Sequence, residues 1–327
     1  MESRAGPAEP SLDLIRRVRA TVEAHAIRTP LLHSTALSQR TGKDVWLKCE
    51  GFQRTGSFKF RGALAALELL APAARAGGVV TSSAGNHGAG LARAARIFGL
   101  PCRIVVPEGT PRVKVEKMRA EGAEVLFSPF TGYDATQSWT LERVEELGGA
   151  FISPFEDPGV IAGGGGTLAL EILEDLPEVD TILLPCGGGG CLSGVGLAAR
   201  GHPRPVKVFG ANTDASPGMW RSFRDGRAHL EVKSQPTVAE GLEGGVSETT
   251  YVLARELAED ILLVPEKDVR RAVARTLLED KLLIEGSAAV APAALLHHDL
   301  PGRTLCLILT GSNIDSRRLQ ALLAEAT

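Results

Sequence analysis

The lysine at position 59 stands where its side chain could act as a nucleophile or a base. Its segment, residues 54–62, follows a strand-like run at Asp44–Cys49 and opens a helix-like run at residues 63–70. A Thr or Ser just before a helical pattern marks a helix start, because its hydroxyl can accept a free backbone N–H. Lys59 then falls in the first turn, where the positive end of the helix dipole disfavours an ammonium and favours a reactive neutral amine. An exposed lysine beside a helix cap is the structural alternative.

A glycine loop joins an apolar run at residues 180–185 to a helix-like run that ends near Arg200, and it consists of Gly187, Gly188, Gly189 and Gly190. Successive glycines let backbone N–H groups approach an anion closely, and the start of the following helix adds its dipole. No lysine follows in Walker spacing, and no acid is placed to complete a dinucleotide fingerprint. The loop therefore predicts a site for a single phosphate, with a close-packed strand–helix crossing as the alternative.

Two further turns follow strand-like runs and carry small, polar residues. The first of them consists of Ser83, Ala84, Gly85, Asn86 and His87. Its hydroxyl, amide and helix N–H groups suit a carboxylate or a phenolate-like oxygen, although Asn86 and His87 could equally be a cap and a structural histidine. The second, residues 310–313, places the hydroxyl of Thr310 where it could meet a heterocyclic nitrogen or merely cap a turn.

Composition and charge exclude several other classes of protein. The chain has 327 residues, of which 44% are hydrophobic and 23% charged, and its net charge of −3 gives no electrostatic reason to expect binding to nucleic acid or an anionic membrane. No uninterrupted apolar run reaches the length that spans a bilayer, and residues 1–10 lack an apolar signal core. We therefore expect a cytoplasmic protein.

The five cysteines give no sign of a disulfide framework or a metal site. They are odd in number and none forms a C-x-x-C pair. Cys186 and Cys191 bracket the glycine loop, but no further Cys or His cluster completes a set of metal ligands. The expectation is that no metal is bound.

The order of strand-like and helix-like runs predicts an α/β protein with two open parallel-sheet domains. Residues 77–153 alternate as β-α-β-α-β-α-β and form the smaller domain, which is inserted into a larger one built from residues 1–76 and 154–327. In open parallel sheets ligands bind beyond the carboxyl ends of the strands. The lysine segment, the glycine loop and the two polar turns are therefore expected to converge on one cleft.

Taken together, these four motifs resemble, in order and spacing, the threonine/serine dehydratase (ammonia-lyase) family. Its members are pyridoxal-phosphate enzymes of the tryptophan-synthase-β type, or fold type II. The resemblance extends from about residue 12 to residue 320 and includes the flanking phrases at residues 158–163, 238–241 and 282–285. It implies that the cofactor, pyridoxal 5'-phosphate, binds in the cleft between the domains.

The resemblance also implies a role for individual residues. Lys59 would carry the cofactor as a Schiff base and, once displaced by the substrate amine, act as the base on the α-proton. The other implied cofactor contacts are Phe58 beside the ring, Asn86 at its phenolic oxygen, Gly187, Gly188, Gly189 and Gly190 at the phosphate, Gly241 at the ring edge and Thr310 at the ring nitrogen. The loop from Ser83 to His87 would hold the substrate carboxylate.

The reaction implied is β-elimination of a β-hydroxy amino acid, such as threonine or serine, to a 2-keto acid and ammonia. A neutral hydroxyl at Thr310 suits elimination better than transamination. Serine racemases resemble this chain but carry a serine acid/base at the position of Ala84, which cannot move a proton. A β-replacement synthase on the same scaffold is a further alternative. An NAD-binding α/β protein would show similar glycine loops, but it gains nothing from Lys59.

Several departures from the family pattern bear on the substrate and on metal binding. Relatives bind a divalent cation through a carboxylate at the position of Asn212; Asp214 lies nearby, but no metal is expected. The glycines at 163–166 predict a loosened segment near the domain junction. Residues 131–134 lack an arginine that some relatives use near the substrate. These departures leave the β-hydroxy amino acid open among threonine, serine, hydroxyaspartate, β-aryl serines and secondary-metabolite relatives. The family-level expectation for assembly is a homodimer.

Overall fold

Two mainly parallel sheets organise the chain in a computed structural model, which describes residues 9–326. Most of the segment 1–10 considered above therefore lies outside the described residues. The strands are β1 (Leu31–His33), β2 (Asp44–Cys49), β3 (Val79–Ser82), β4 (Cys102–Val106), β5 (Glu124–Phe127), β6 (Ala150–Phe151), β7 (Thr181–Pro185), β8 (Lys207–Thr213), β9 (Asp260–Val264) and β10 (Thr304–Leu309). The six-stranded sheet has the order β1-β2-β10-β7-β8-β9, and the four-stranded sheet has the order β5-β4-β3-β6. Every neighbouring pair is parallel except β1 and β2.

Helices cover both sheets. They are α1 (Leu12–His25), α2 (Thr35–Thr41), α3 (Lys59–Leu69), α4 (Pro72–Arg75), α5 (Asn86–Phe98), α6 (Arg112–Ala120), α7 (Tyr133–Glu142), α8 (Val144–Leu147), α9 (Pro158–Ile161), α10 (Thr167–Asp175), α11 (Gly190–Arg200), α12 (Gly218–Asp225), α13 (Glu248–Leu257), α14 (Glu266–Arg275), α15 (Gly286–His297) and α16 (Ser316–Ala326). Two π-helical turns, Ala162–Gly166 and Thr276–Asp280, continue α9 into α10 and extend α14. The α/β class with two parallel sheets is confirmed.

The central strands β7 and β10 are buried along their whole length, as expected for parallel strands covered on both faces. The helix α3, which begins at Lys59, is buried on nearly every face. Its contacts with α5, α9 and the first π-helical turn bring the two sheets together. Phe60 and Leu64 of α3 have no exposed surface. The helix that begins at Lys59 is therefore a fixed part of the core.

The glycine segment 163–166 differs from its prediction. It is neither loose nor exposed: all four glycines are buried in the first π-helical turn. A Cβ at Gly163 would lie 2.6 Å from the carbonyl oxygen of Arg61, and one at Gly166 would lie 2.6 Å from Cδ1 of Ile15. The prediction of a loosened segment is wrong, because the missing side chains allow three helices to pack closely, and this packing outweighs the low helix propensity of glycine.

Two other local expectations were incomplete. Several elements were not predicted, among them β1, β9, α2 and α12. The third helix of the predicted β-α-β-α-β-α-β alternation divides into α7 and α8 at Arg143. Because β3, β4 and β5 are parallel, the start of α7 at Tyr133 lies at the same edge of the small sheet as the end of β3.

Candidate active site

Lys59 is the first residue of α3, as the sequence predicts, but the helix start is built differently. Phe58 is the N-cap residue, and no side chain caps the helix. The hydroxyl of Ser57 is buried without a hydrogen-bond partner, so the prediction that a hydroxyl caps this helix is wrong. The turn is instead fixed by the backbone: Ser57 pairs with Gly311, and the Phe58 amide donates to the Thr310 carbonyl at 3.1 Å.

The amine of Lys59 lies between the two sheets. Its Nζ donates to the Pro154 carbonyl at 2.7 Å and lies 5.3 Å from the centre of the Phe58 ring. The loss of water around the amine lowers its pKa to about 8. A substantial fraction is therefore neutral near physiological pH, which is the form that attacks a carbonyl carbon or accepts a proton.

The glycine loop forms a tight cradle next to this lysine. Gly189 has a φ of +90°, and α11 begins at Gly190. A Cβ at Gly188 would lie 2.6 Å from the ring of Phe155, and one at Gly187 would lie 3.2 Å from Cα of Leu242. The first-turn amides of a helix have no acceptor within the helix. The loop can therefore offer N–H groups to a phosphate without interference from side chains.

Asn86 belongs to a polar group that joins the two sheets. Its Nδ2 donates to Oε1 of Glu285 at 2.7 Å, and Nδ2 of Asn313 donates to Oδ1 of Asn86 at 2.8 Å. The Asn313 amide donates to Oε2 of Glu285 at 3.1 Å, and Lys117 Nζ donates to Oδ1 of Asn313 at 2.7 Å. Burial raises the pKa of Glu285 to about 7, although these hydrogen bonds and the charge of Lys117 oppose the rise.

The remaining residues of the Ser83–His87 turn lie around Asn86 at the start of α5. The hydroxyl of Ser83 accepts from the Gly85 amide at 3.3 Å, and α5 begins at Asn86. His87 is 3% exposed, and its Nε2 lies 3.3 Å from the Ile152 carbonyl. Burial, with the nearby charge of Lys59, lowers the pKa of His87 to about 3. The imidazole is therefore neutral and cannot act as a cationic ligand for a carboxylate, which leaves that task to the backbone amides of the turn.

The other two predicted positions lie on the large sheet side of the cleft. Thr310 follows the last residue of β10 and is joined through its carbonyl to Phe58. The Gly241 amide donates to Oγ of Ser287 at 2.9 Å, and the following residue, Leu242, packs against Gly187. The structure thus brings Thr310, Gly241 and the glycine loop to the same cleft as Lys59.

The position considered for a cation is occupied by protein hydrogen bonds. Nδ2 of Asn212 donates to the Cys186 carbonyl at 2.5 Å, and its Oδ1 accepts from the Trp220 amide at 2.8 Å. Asp214 accepts from the Glu266 amide at 2.9 Å. Within residues 9–326, no group of three His, Cys, Asp or Glu side chains is placed to hold a metal ion.

Four participants in the site were not singled out from the sequence. They are the Pro154 carbonyl, the Phe155 ring, the carboxylate of Glu285 and the amine of Lys117. A glutamate just before the glycine start of α15 was a usable signal, because a charged residue at the end of an apolar run needs a partner. Nothing in the local sequence marks Lys117, which reaches the site from the exposed face of α6.

Comparison with known proteins agrees with this geometry. A family model described as "Pyridoxal-phosphate dependent enzyme" matches residues 22–311. An L-threonine ammonia-lyase of Thermotoga maritima is 38% identical over 315 residues, which cover 96% of this chain and 78% of the relative. Human serine racemase is 36% identical over 296 residues, 88% of this chain and 86% of the relative.

Solved structures give the same result. The structure of maize serine racemase superposes with a TM-score of 0.90 at 31% identity, and the match covers 97% of this chain and 98% of that one. The processed form of threonine deaminase isoform 2 from Solanum lycopersicum superposes with a TM-score of 0.87 at 30% identity, over 98% of this chain and 95% of that one. The family match over most of the chain, these relatives and the lysine beside a glycine cradle lead to one conclusion: the chain belongs to the family of pyridoxal-phosphate dependent enzymes.

Proposed function

We propose that the protein is an ammonia-lyase that converts a β-hydroxy amino acid, such as threonine or serine, to a 2-keto acid and ammonia. The observation that carries the proposal is the Lys59 amine, whose pKa is lowered to about 8 beside a glycine cradle in the cleft. The names of the relatives, L-threonine ammonia-lyase and threonine deaminase, support the choice of reaction.

The residues of the cleft fit pyridoxal phosphate. Lys59 would bind its aldehyde carbon, and Gly187 to Gly190 would bind its phosphate through backbone N–H groups that no side chain of the loop obstructs. Asn86 would donate to the phenolic oxygen; its amide has two N–H groups, so it can keep the bond to Glu285 as well. Phe58, Gly241 and Thr310 would surround the ring. When bound, the cofactor supplies the electron sink that accepts the charge left at Cα.

The chain's own groups would then do the following. The backbone amides at the start of α5 bind the substrate carboxylate, helped by the helix dipole. Lys59 Nζ takes the α-proton. The β-hydroxyl leaves with a proton as water, and hydrolysis of the remaining carbon–nitrogen bond consumes one water and releases ammonia. The net reaction is amino acid to 2-keto acid plus ammonia.

The residue type at one position, 84, favours elimination over racemisation. A racemase needs a second acid/base on the face opposite to the lysine, and the residue before Gly85 is Ala84, which has no proton to exchange. Serine racemases are among the relatives, so the same assay should follow formation of the D-amino acid. No feature of the described residues specifically favours a β-replacement synthase.

The proposal also includes the domain division, the assembly and the cellular location of the protein. The smaller domain consists of residues 77–153 and the larger of residues 1–76 and 154–327, a division that the two separate sheets support. The protein acts as a homodimer in the cytoplasm, where thiols stay reduced, and all five cysteines are free. Separately, no helix among the described residues is long and apolar enough to cross a membrane.

The test is formation of 2-keto acid from a panel of β-hydroxy amino acids. Wild-type protein should show visible absorbance from the lysine-bound cofactor and form keto acid from at least one member. Lys59→Ala should lose both the absorbance band and the activity, by about a thousandfold or more. Lys267→Ala, which changes an exposed lysine on α14, is the matched control and should behave as wild type. A chromophore without keto acid from any member would disprove the ammonia-lyase assignment.

A further inference from the structure

One wall of the cleft is built from the small sheet. Because β3, β5 and β6 run in the same direction, the segments that follow them leave from one edge. After β3 comes the turn 83–87, and after β5 comes the start of α7 at Tyr133. After β6 come Pro154, whose carbonyl accepts the Lys59 amine, and then Glu156.

The opposite wall is a glycine-containing segment of the large domain. Gly244 has a φ of +100°, and a Cβ added to it would lie 3.3 Å from Oδ1 of Asp134 and 3.5 Å from Cδ1 of Tyr133. Leu242, two residues earlier, packs against Gly187 of the glycine loop. Asp134 and Gly244 therefore close the cleft from its two sides, next to the cradle.

This end of the cleft carries negative charge. Burial and the neighbouring carboxylate of Glu231 raise the pKa of Asp134, and burial followed by the charges of Asp134 and Glu156 raises that of Tyr133. None of the carboxylates of Asp134, Glu156 and Glu231 forms an ion pair with any Lys, Arg or His of the described residues. These three carboxylates are called the acidic wall below.

Three basic residues of the chain, Lys114, Lys117 and Arg318, already have partners. Lys114 and Arg318 both bind the carboxylate of Glu240, the former at 3.0 Å. Lys117 donates to Asn313 and lies near Glu285. The acidic wall therefore has no partner among these residues that could offset its charge.

We propose that the acidic wall selects amino acids whose side chains are neutral or cationic and rejects those with an anionic side chain. The inference rests on the proposed function. With the α-carboxylate on the turn 83–87 and the α-amine directed to Lys59, the side chain extends toward Tyr133, Asp134 and Gly244. A second carboxylate there would face like charges, and this repulsion weakens binding. Threonine, serine and β-aryl serines fit this end, whereas β-hydroxyaspartate does not.

The experiment compares L-threonine with β-hydroxyaspartate on the holoenzyme, near pH 8, in wild type and three variants. Keto-acid formation gives kcat/KM, and the shift of Tm with ligand concentration gives binding independently of turnover. In wild type we expect kcat/KM for β-hydroxyaspartate to be at least about a hundredfold lower than for threonine. Asp134→Asn should reduce the ratio of kcat/KM for threonine to kcat/KM for β-hydroxyaspartate by about tenfold. Glu156→Gln should also reduce this ratio, and it serves as the test if Asp134→Asn fails to fold.

The matched control is Glu142→Gln, which removes a carboxylate from the exposed end of the same helix, where it pairs only with Arg143. It should leave the ratio unchanged. Equal turnover of the two compounds by wild type, or a ratio that neither variant changes, would overturn the inference. If no compound yields keto acid, the proposed function fails, and the ratio of the two binding constants then decides the inference alone: tighter binding of threonine, relaxed by Asp134→Asn, supports it, and equal binding overturns it.

Discussion

Two polar clusters lie on either side of the lysine segment, and they handle charge in different ways. The ion cluster, behind α3, consists of Lys48, Glu50, Arg61 and Glu171. The cleft cluster, in front of it, consists of Asn86, Lys117, Glu285 and Asn313.

The ion cluster is fully buried and balanced. Arg61 donates to Glu171 at 2.7 Å and to Glu50 at 2.9 Å, and Lys48 donates to Glu171 at 2.6 Å. None of the four side chains is more than 5% exposed. Burial alone would lower the pKa of Arg61, but the two carboxylates raise it. Two cations therefore face two anions, and the charges of the cluster balance.

The cleft cluster is built mainly from neutral amides around one carboxylate. Glu285 accepts from Asn86 and Asn313, and its counter-charge, Lys117, reaches it only through Asn313. Its pKa of about 7 places it where a proton can be exchanged. The chain therefore pairs its charges fully around α3, which must stay fixed. It leaves one carboxylate poorly compensated in the cleft, where ligands must enter and leave.

The first way to test this contrast is to break the ion cluster with Arg61→Met. The change leaves Glu50 and Glu171 buried without their shared partner, so we expect a loss of about 3–5 kcal/mol in stability. The measurement is thermal unfolding of the cofactor-free protein. Arg54→Met changes an exposed arginine that donates to the His25 carbonyl, and it should cost less than about 1 kcal/mol. Equal losses in the two variants would contradict a structural role for the cluster.

The second test changes the charge of the cleft cluster with Glu285→Gln. The folded-state pKa of Glu285 is raised to about 7 from its usual 4.5, so its contribution to stability is fully present below pH 4.5 and is lost as the pH rises through 7. Gln cannot titrate. The Tm of wild type relative to the variant should therefore fall between about pH 4.5 and about pH 7, by the equivalent of at most about 3 kcal/mol.

The control for this pH series is Glu146→Gln, which changes an exposed glutamate on α8. Its Tm difference from wild type should stay constant over the same range. A constant difference for Glu285→Gln as well would mean that burial does not hold Glu285 near neutrality.

The sequence was sufficient for the features that local signals encode. The start of α3 at Lys59, the glycine loop before α11 and the polar turns after β3 and β10 were predicted because each depends on residue types next to a strand end. The convergence of these turns followed from the parallel topology alone. The family match confirms the recognition that these motifs supported.

What the sequence could not provide were partners far apart in the chain. Asn86 and Glu285 are 199 residues apart, and Lys117 and Asn313 are 196 apart. No periodicity indicates which side chains on two distant elements will face each other. The prediction of a loosened segment at residues 163–166 was wrong for the same reason. Glycine usually destabilises a helix, but here α1, α3 and α11 pack against the segment and hold it as a buried π-helical turn.

The smallest expected effect concerns the link between Lys117 and the cleft cluster. Lys117→Met keeps the length and packing of the alkyl chain but removes the bond to Asn313 and the charge that lowers the pKa of Glu285. The side chain of Lys117 is exposed, and the partial loss of water around its amine lowers the pKa of that amine, so its net contribution should be below about 1 kcal/mol. The pKa of Glu285 should nevertheless rise further, moving the midpoint of the pH series to higher pH. Lys114→Met removes a neighbouring pair with Glu240 and should move that midpoint less, because Lys114 bonds neither Glu285 nor Asn313. An equal shift in both variants would show a general effect of surface charge.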